Sequence, residues 1–402
     1  MNILLLHHVA DIYGASQSLL RLTSGLVRDG HTVTVVVPEH GPLVDALSAR
    51  HIDVEIMPDL PVMHRNRLTS PAGLVRLIRD AWSFRRGIRE LMRSFKPDLI
   101  HTNTGAILPV AGGVARRMGI ARIQHLRESF LDFGPLWLPY RAWLFRSSDR
   151  IICISNFIAS MFTSTQRTGR VIVIHNGIPQ EEFAAVDPSD VVAFRARFGG
   201  PGPLIGIAGR IKLVRKGQEV FVRAAAQIKD RFPSARFVII GSPFAGNESH
   251  LDILQTMVHD LGLDGRVVFA GHLDRPLAGL AALDISVMAS AQPEPLGNVT
   301  IESMALGCAV IGTNIGGTPE LIHDGITGLL VPPGDDAAMA AAMTRLLAHP
   351  DEASAMGRRA QEDYFSRLEF GVFYRKLVAE YEWISGGGGF AQGRNSGHQA
   401  SP

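Results

Sequence analysis

Cysteines and long apolar runs are both scarce in this sequence. The 402 residues include two cysteines, Cys153 and Cys308, and each lies in an apolar stretch. This usage predicts buried free thiols and argues against a disulfide or a cysteine metal site. No run approaches the roughly 18 apolar residues of a membrane-spanning helix. The N-terminal segment lacks a basic lead and its apolar run stops at His7, so we expect a first β-strand there and no signal peptide.

A large excess of charge is also missing. The net charge of +2 argues against a dedicated nucleic-acid-binding protein. Hydrophobic residues make up 46% of the chain and charged residues 19%, which is typical of globular proteins and not of disordered ones. A chain of 402 residues is long enough for two domains.

Short β-rich runs alternate with helical patterns along most of the chain. The strands predicted in the first half are Ile3–Leu6, Thr32–Val37, Asp53–Met57, Leu99–Thr102, Arg122–Leu126, Ile151–Ile154 and Val171–His175. Those in the second half are Leu204–Ala208, Arg236–Ile240, Val267–Ala270, Ile285–Met288, Ala309–Thr313 and Gly328–Val331. Continuous apolar strands separated by helices predict parallel sheets covered on both faces. Because the pattern occurs twice, we predict an α/β fold of two Rossmann-like, doubly wound domains that face a central cleft.

The predicted domain boundary lies in a proline-bearing stretch near residues 180–202. It separates an N-terminal domain, residues 1–185, from a C-terminal domain, residues 186–365. A last helix is predicted at Phe365–Ile384 from its apolar spacing. The glycine-rich residues 386–402 are predicted to be a mobile tail.

The loops that follow strands are the expected location of a ligand site, because ligands of open α/β sheets bind at the carboxyl ends of the strands. The loop after Leu204–Ala208 carries Arg210 at the strand end and Lys216 at a helix start. Two cations that converge there would neutralise a diphosphate and stabilise it as a leaving group. An ordinary basic surface cluster is the alternative.

Glu294 and Glu302 flank Gly297 in a segment that predicts a loop turning into a helix. We expect Glu294 before the helix and Glu302 in its first turn. Such a helix start suits a phosphate, because its free backbone N–H groups can donate hydrogen bonds and it is the positive end of the helix dipole. The two carboxylates would then accept hydrogen bonds from sugar hydroxyls, although helix N-terminal acids are common without any ligand.

Four further loops offer weaker signals. Gly14 precedes a helix start and would let the backbone approach a phosphate. His125 ends a strand, where it would act on a sugar, and His101 is an equal candidate. The Gly316-Gly317 pair fits a tight approach of the backbone to a ligand, and Gly271-His272 would offer groups to a nucleobase edge.

Together these residues resemble a family 4 glycosyltransferase of the GT-B fold. The resemblance is carried by Glu294-Pro-Leu-Gly-Asn-Val-Thr-Ile-Glu302, by Gly316-Gly-Thr-Pro-Glu320 and by the segment 324–334. It also includes Gly209-Arg210 with Lys216-Gly217, and it covers roughly residues 1–385.

The resemblance implies a nucleotide-sugar donor held mainly by the C-terminal domain. It places Arg210 and Lys216 on the diphosphate, Glu302 on the ribose and Glu294 on the donor sugar. His125 would contact a donor-sugar hydroxyl. The other residues expected at the donor are Gly14, Gly209, His272, Leu296, Gly297, Asn298 and Val299.

The resemblance further implies transfer with retention of anomeric configuration, in which the departing phosphate assists deprotonation of the acceptor. It also implies that the last helix crosses back to the first domain. Tyr13 precedes a single Gly14 where the family has two adjacent glycines, and Arg127 and Glu128 have no assigned role. No Asp-x-Asp occurs at a strand end and Asp335-Asp336 is expected to cap a helix, so we predict no required metal and no other cofactor.

The first half has a basic stretch that interleaves with aromatic and aliphatic residues. Between His64 and Lys96, nine arginines and lysines stand against Asp80 and Glu90. Such a stretch predicts contact with an anionic membrane, and the aromatic-rich segment 130–146 would line an acceptor cleft or touch lipid. We therefore expect a cytoplasmic protein attached to the inner membrane face, with a glycan, lipid-linked or small-molecule acceptor. A solvated helix face and ordinary core aromatics are the alternatives.

Three competing functions stay open. A GT-B nucleotide-sugar epimerase would turn over its donor without an acceptor. A dinucleotide-dependent oxidoreductase would use Glu39 at the end of the second strand, but neither half has Gly-x-Gly-x-x-Gly after its first strand. A non-catalytic sugar-nucleotide binding subunit would keep the binding residues without turnover.

Overall fold

Two parallel β-sheets form the framework of the protein. The computed structural model describes residues 1–63, 70–167, 169–243, 246–273 and 275–388. The strands of the first sheet are β1 (Asn2–Leu6), β2 (Thr32–Val37), β3 (Asp53–Ile56), β4 (Leu99–Thr102), β5 (Ala121–Leu126), β6 (Arg150–Cys153) and β7 (Val171–Val173). Those of the second sheet are β8 (Leu204–Ala208), β9 (Arg236–Ile240), β10 (Val267–Gly271), β11 (Ile285–Met288), β12 (Ala309–Thr313) and β13 (Leu329–Val331).

Every predicted strand is confirmed, with bounds that shift by no more than two residues. The reason is visible in β2, where all residues after Thr32 are buried. Helices that cover both faces of a sheet leave no polar side for the strand, so its sequence is continuously apolar. The strand orders are β3-β2-β1-β4-β5-β6-β7 and β10-β9-β8-β11-β12-β13. Each sheet is therefore doubly wound, as predicted.

Helices follow most of the strands. In the first unit they are α1 (Gly14–Arg28), α2 (Pro42–Ser48), α3 (Pro71–Phe95), α4 (Val110–Met118), α5 (Trp137–Ser147), α6 (Asn156–Ala159) and α7 (Ser164–Arg167). In the second unit they are α8 (Gln180–Ala184), α9 (Pro188–Phe194), α10 (Gln218–Ile228), α11 (Ser249–Asp260), α12 (Pro276–Ala281), α13 (Asn298–Ala305), α14 (Asp336–Ala348) and α15 (Pro350–Asp363). The last helix is α16 (Phe370–Trp383).

The chain divides into two compact units, one of Met1–Asn176 with the segment from Phe373 onward, the other of Gly177–Val372. The boundary between the two units, directly after Asn176, comes earlier in the chain than the predicted boundary at residue 185. Hydrogen bonds explain this difference, because Ile178 is already held by the second unit. Its carbonyl accepts from Tyr364 Oη (2.7 Å) and from the N–H of Phe370 (3.1 Å).

The predicted continuous helix over Phe365–Ile384 is wrong at its start. A wide helical turn at Tyr364–Leu368 prolongs α15, and Glu369 is extended, with φ −67° and ψ 145°. The helix α16 then begins at Phe370, where the Glu369 carboxylate accepts from the N–H of Gly371 (2.5 Å). The apolar spacing runs through both pieces, so periodicity alone does not reveal the break. From Phe373 the helix belongs to the first unit.

Parts of the predicted basic stretch and of the predicted tail lie outside the residues that the structure describes. His64, Arg65 and Arg67 of the basic stretch and residues 389–402 of the predicted tail lie outside the described residues. In the rest of the chain, no helix is long and apolar enough to cross a membrane. Both cysteines are free and buried, as predicted. Burial raises the pKa of the Cys308 thiol to about 12.

Candidate functional site

The strand order of the second sheet reverses between β8 and β11, and crevices at such reversals bind ligands in open α/β sheets. The loop after β8 carries the predicted basic residues, and the loop after β11 carries Glu294. The two loops touch, since a Cβ atom on Gly217 would lie 1.9 Å from the carbonyl oxygen of Ala289. Gly217 also has φ +68°, so both its conformation and its packing require glycine.

Lys216 and Glu294 form an ion pair at this point. Lys216 Nζ lies 3.0 Å from Glu294 Oε1, and Arg215 Nε lies 3.9 Å from the same oxygen. The Glu294 side chain is 10% exposed and that of Lys216 is 27% exposed. A carboxylate so far removed from water needs a partner, and Lys216 supplies it. The structure thus brings together two residues that the sequence nominated separately.

The Gly316-Gly317 pair packs against this loop, a contact that the sequence did not predict. A Cβ atom on Gly316 would lie 2.4 Å from the carbonyl oxygen of Glu294, and one on Gly317 would lie 2.4 Å from that of Pro295. The N–H of Gly317 donates to the Glu294 carbonyl (2.8 Å). The glycines therefore let the loop after β12 press against the backbone that carries Glu294.

Helix α13 begins at Asn298, directly after Gly297 with φ +94°. Glu302 is the fifth helical residue, in the second turn, so its predicted place in the first turn is wrong. It is half-buried, whereas Leu296 is buried and Val299 packs against the core. Leu296 can therefore offer a ligand only its backbone.

Thr300 supplies an unexpected polar group at the start of the same helix. Its Oγ1 is buried and has no hydrogen-bond partner among the described residues. The atom would lie 3.6 Å from a Cβ on Gly297. An unpaired buried hydroxyl is costly, and a ligand oxygen at the helix start would satisfy it.

Glycines stand at the carboxyl ends of three neighbouring strands. Gly209 follows β8 with φ +140°, Gly241 follows β9 with φ +130°, and Gly271 ends β10 with φ +70°. A Cβ atom on Gly241 would lie 2.1 Å from the carbonyl oxygen of Gly209, so side chains are excluded there. Arg210 and His272 follow two of these glycines and are both exposed. Their positions agree with the edge at which the sequence placed them.

Asp335 and Asp336 have structural partners. Asp335 Oδ1 accepts from the N–H of Ala338 (2.8 Å) and caps α14, as predicted. Asp336 lies 3.2 Å from Arg223 Nε. Within the described ranges, no group of three or more histidines, cysteines, aspartates or glutamates is arranged to hold a metal ion.

The first sheet reverses between β1 and β4, where a chain of buried polar groups begins. Ser16 Oγ donates to Asp11 Oδ1 (3.0 Å) and so must accept from His7 Nε2 (3.0 Å). That tautomer leaves His7 Nδ1 to accept from Asn103 Nδ2 (3.2 Å). Burial lowers the pKa of His7 well below its usual value, which keeps the ring neutral, as this series of hydrogen bonds requires.

Arg127 is the residue that sequence reasoning missed. Its side chain is buried and donates to Asn103 Oδ1 through Nε (3.2 Å) and Nη2 (3.0 Å). Nη1 donates to Asn176 Oδ1 (2.8 Å). Burial lowers the pKa of Arg127 to about 10, so it stays charged at neutral pH. The signal in the sequence is its place directly after β5, which it shares with His7 after β1 and Asn103 after β4.

Glu128 organises the neighbouring loop. Its carboxylate accepts from Thr104 Oγ1 (2.5 Å) and from the N–H of Gly105 (2.9 Å). This contact ties the loop after β5 to the loop after β4. Glu128 therefore has a role in holding loops, which the sequence left unassigned.

His125 is wholly buried, which differs from the expectation of a histidine open to a ligand. Its ring stacks on His101, with centroids 5.4 Å apart, and on Phe373, with centroids 6.4 Å apart. Burial, and then the charge of Arg127, hold its pKa well below the usual value. Arg127 Nη2 donates to Nδ1 (3.4 Å), so the proton is on Nε2, which has no partner among the described residues. His101 is equally buried and bonds Tyr381 Oη, so burial does not separate the two candidates.

Gly14 is the first residue of α1 and is exposed, next to the half-exposed Tyr13. The helix therefore begins at Gly14 itself and not after it, as the sequence had predicted. Its start is held by Asp11, whose Oδ1 accepts from the N–H of Tyr13 (3.2 Å). The first turn contains no acidic residue.

Known proteins resemble this chain along most of its length. The family profile described as Glycosyltransferase Family 4 matches residues 12–182, and that described as Glycosyl transferases group 1 matches residues 202–349. The GDP-mannose-dependent alpha-(1-6)-phosphatidylinositol monomannoside mannosyltransferase of Mycolicibacterium smegmatis is 31% identical over 268 residues, 63% of this chain and 68% of that protein. The chain belongs to the family 4 glycosyltransferases. A second member, the lipopolysaccharide core biosynthesis glycosyltransferase LpsE of Rhizobium meliloti, is 33% identical over 246 residues, 60% of this chain and 67% of the relative.

Solved structures show that this family 4 glycosyltransferase has the GT-B fold. Anabaena Alr3699/HepE, crystallised with UDP, gives a TM-score of 0.79 at 23% identity, covering 95% of this chain and 100% of the other. A glycosyltransferase from Rickettsia africae gives 0.81 at 19% identity, covering 95% and 98%. The predicted family and fold class are thereby confirmed.

Proposed function

We propose that this glycosyltransferase moves a hexose from a UDP- or GDP-linked donor to a lipid-linked or glycan acceptor, with retention of anomeric configuration. The observation that carries the proposal is the Lys216–Glu294 pair at the reversal point of the second sheet. A lysine and a carboxylate in contact there match the two halves of a nucleotide sugar, which are the anionic diphosphate and the hydroxyl-bearing hexose.

In this proposal Lys216 and Arg210 bind the diphosphate and stabilise it as it leaves. A preorganised cation is worth most where negative charge develops, and Lys216 is already fixed by its contact with Glu294. The start of α13, with Gly297 and Asn298, adds backbone N–H groups and a positive dipole end to the phosphate site.

Two carboxylates divide the remaining donor contacts. Glu294 accepts hydrogen bonds from hydroxyls of the transferred hexose, and Glu302 accepts them from the ribose. His272, exposed at the end of β10, contacts the base, and Gly209 admits the diphosphate. Gly14 supports the phosphate from the loop after β1.

Retention follows from a same-face attack in which a departing phosphate oxygen takes the acceptor proton. This route needs no protein base. The low pKa of His125 and its place beside the Arg127 cation suit a neutral hydrogen-bond donor through Nε2. We therefore assign His125 the expected contact with a donor-sugar hydroxyl. Because its ring is wholly buried, this contact requires Phe373 or a neighbouring side chain to shift. No metal is required, because Lys216 and Arg210 supply the positive charge.

The acceptor class is inferred from the relatives. One is named for a phosphatidylinositol monomannoside and another for lipopolysaccharide core biosynthesis. Both names point to glycolipid or polysaccharide assembly. We extend this role to the present chain and propose that its acceptor is a glycan with a lipid anchor, reached from the cytoplasmic side.

A panel of UDP- and GDP-sugars in excess EDTA tests the donor site by thermal shift. The preferred donor at about 100 times its Kd should stabilise the protein by about 2.7 kcal/mol. Lys216→Ala should lose the shift, whereas Lys212→Ala, in the same loop, should retain it. No shift with any donor, or the same shift in Lys216→Ala, would contradict the proposed donor site. A shift that requires added divalent metal would contradict metal independence.

A turnover assay separates the remaining functions. NMR of the product formed with a short glycan acceptor should show the anomeric configuration of the donor. An inverted product would refute retention. Donor isomerisation without acceptor would indicate the epimerase, and donor binding without turnover on any acceptor would indicate the non-catalytic subunit.

A further inference from the structure

Helix α3 (Pro71–Phe95) has two apolar stripes, and one of them faces solvent. The buried stripe is Leu77, Phe84, Ile88 and Met92. The exposed stripe is Leu74 (43% exposed), Val75 (67%), Ile78 (60%) and Trp82 (68%). A helix that merely covers a sheet needs only the first stripe. The second therefore lies where an apolar surface outside this fold would cover it.

A groove of about 620 Å³ continues the exposed stripe between α3, α4 and α5. Its charged and aromatic lining residues are Trp82, Arg85, Arg116, Arg117, Trp143 and Arg146. None of the described residues that line it is acidic. Arg85 lies over the Trp82 ring, 6.0 Å from its centroid. The groove thus combines four cations with an apolar floor and no compensating carboxylate.

We propose that this groove and the exposed stripe of α3 dock the first unit on an anionic phospholipid surface. Lipid phosphates would bind the four arginines, which form charge-assisted hydrogen bonds with phosphate oxygens. Trp82 and the aliphatic residues before it would lie at the boundary between headgroups and acyl chains, where tryptophan is favoured. An acid-free basic groove beside an apolar stripe fits this surface better than a protein partner, which would bring carboxylates and hydrophobic side chains in fixed positions.

Two glycines of α4 shape the groove. A Cβ atom on Gly112 would lie 2.4 Å from the carbonyl oxygen of Ser147, so this glycine lets α4 and α5 pack closely. A Cβ atom on Gly113 would meet nothing within 4 Å. Gly113 is thus a place where a side chain fills the groove without disturbing the core.

The aromatic segment 130–146 divides between core and surface. Phe130 stacks on Trp137, with centroids 5.3 Å apart, and Tyr140 Oη donates to the Gly105 carbonyl (2.5 Å). These residues serve packing, which was the alternative expectation. Trp143, in contrast, is 39% exposed and lines the groove. Of the aromatic residues in this segment, Trp143 is therefore the one to which we assign lipid contact.

Vesicle co-sedimentation of the full-length protein tests the docking surface. The protein should bind vesicles of equal phosphatidylglycerol and phosphatidylcholine, and bind phosphatidylcholine alone at least about tenfold more weakly. Arg85→Glu with Arg117→Glu should weaken binding to the anionic vesicles at least about tenfold. The matched control, Arg28→Glu with Arg50→Glu, makes the same charge change at two exposed arginines on α1 and just after α2, outside the groove and the exposed stripe, and should weaken binding clearly less. Equal losses of vesicle binding in the two double variants would overturn the proposal, because they would indicate a diffuse electrostatic attraction and not binding by the groove.

Filling the groove gives a test without a change in charge. Gly113→Leu should weaken vesicle binding several-fold, whereas Gly113→Ala should leave it near the wild-type value. Normal binding by Gly113→Leu, or equal binding to neutral and anionic vesicles, would overturn the proposal. The second result would favour a protein or purely apolar partner. Every variant should keep the donor thermal shift, so failure here is distinguishable from failure of the proposed donor site.

Discussion

Lys216 Nζ contacts Glu294 Oε1 at 3.0 Å and links the loops that follow β8 and β11. The two strands are adjacent in the sheet although β9 and β10 lie between them in the chain. The carboxylate is nearly buried, whereas the ammonium reaches solvent. The pair therefore holds a nearly buried carboxylate beside a cation at this edge of the sheet.

The first prediction concerns the stability of this ion pair. Lys216→Met should lower the free energy of unfolding by about 1–3 kcal/mol more than Glu294→Gln, because it leaves a nearly buried carboxylate with only long contacts, to Ser290 Oγ (3.5 Å) and Arg215 Nε (3.9 Å) among the described residues. The ammonium left by Glu294→Gln can be hydrated. Urea unfolding of both variants and the double variant measures the coupling, and effects that add within about 0.5 kcal/mol would show that the pair is not coupled.

The second prediction concerns catalysis. Lys216→Ala and Glu294→Ala should each lower kcat/KM for transfer at least about tenfold, which corresponds to about 1.4 kcal/mol of transition-state stabilisation. Lys212→Ala removes the same charge from the same loop and should stay within about threefold of wild type. Steady-state kinetics with the donor found by thermal shift measures this, and full activity in either alanine variant of the pair would refute its role.

The third prediction compares alanine substitutions at Gly316 and Gly325, in order to separate backbone strain from steric clash. Gly325→Ala should cost about 1 kcal/mol, because φ is +72° and a Cβ would meet nothing within 4 Å. Gly316→Ala has a similar φ of +64° but would clash with the Glu294 backbone. It should cost about 1–3 kcal/mol more and weaken donor binding as well. Thermal unfolding with and without donor compares the two, and equal losses would mean that the Glu294 loop yields freely.

The fourth prediction concerns pH. Burial lowers the pKa of His101 from 6.5 to about 3. The unfolded chain takes up this proton below pH 6.5 and the folded chain does not, so the stabilisation is complete above pH 6.5 and is lost as pH falls towards 3. The slope of unfolding free energy against pH should be shallower in His101→Gln by up to about 1.4 kcal/mol per pH unit.

The exposed His40 of the same unit provides the control for this measurement, as His40→Gln. Denaturant unfolding between pH 7.5 and about pH 5 records the slopes of all three proteins. A slope in His101→Gln as steep as in wild type would show that His101 is not held neutral.

Much of the fold and part of the site could be predicted from sequence. Strands such as Thr32–Val37 are readable because burial on both faces makes them continuously apolar. Glu294 was found through a motif whose glycine and helix start have a local meaning. The break at Glu369 was not readable, since apolar spacing persists across it and the cause is a bond to Ile178 far along the chain.

The sequence by itself determined the two doubly wound sheets, the free buried thiols and the residues Lys216 and Glu294 as candidates, because these depend on local periodicity and motif. Only the tertiary structure decided that Lys216 and Glu294 touch, that Gly316 and Gly317 support their loop, and that His125 is buried beside Arg127. Such contacts depend on the order of strands in a sheet, which brings together residues distant in the chain. Likewise, helical spacing marks Trp82 as apolar, but only packing shows that its stripe of α3 is left open to solvent.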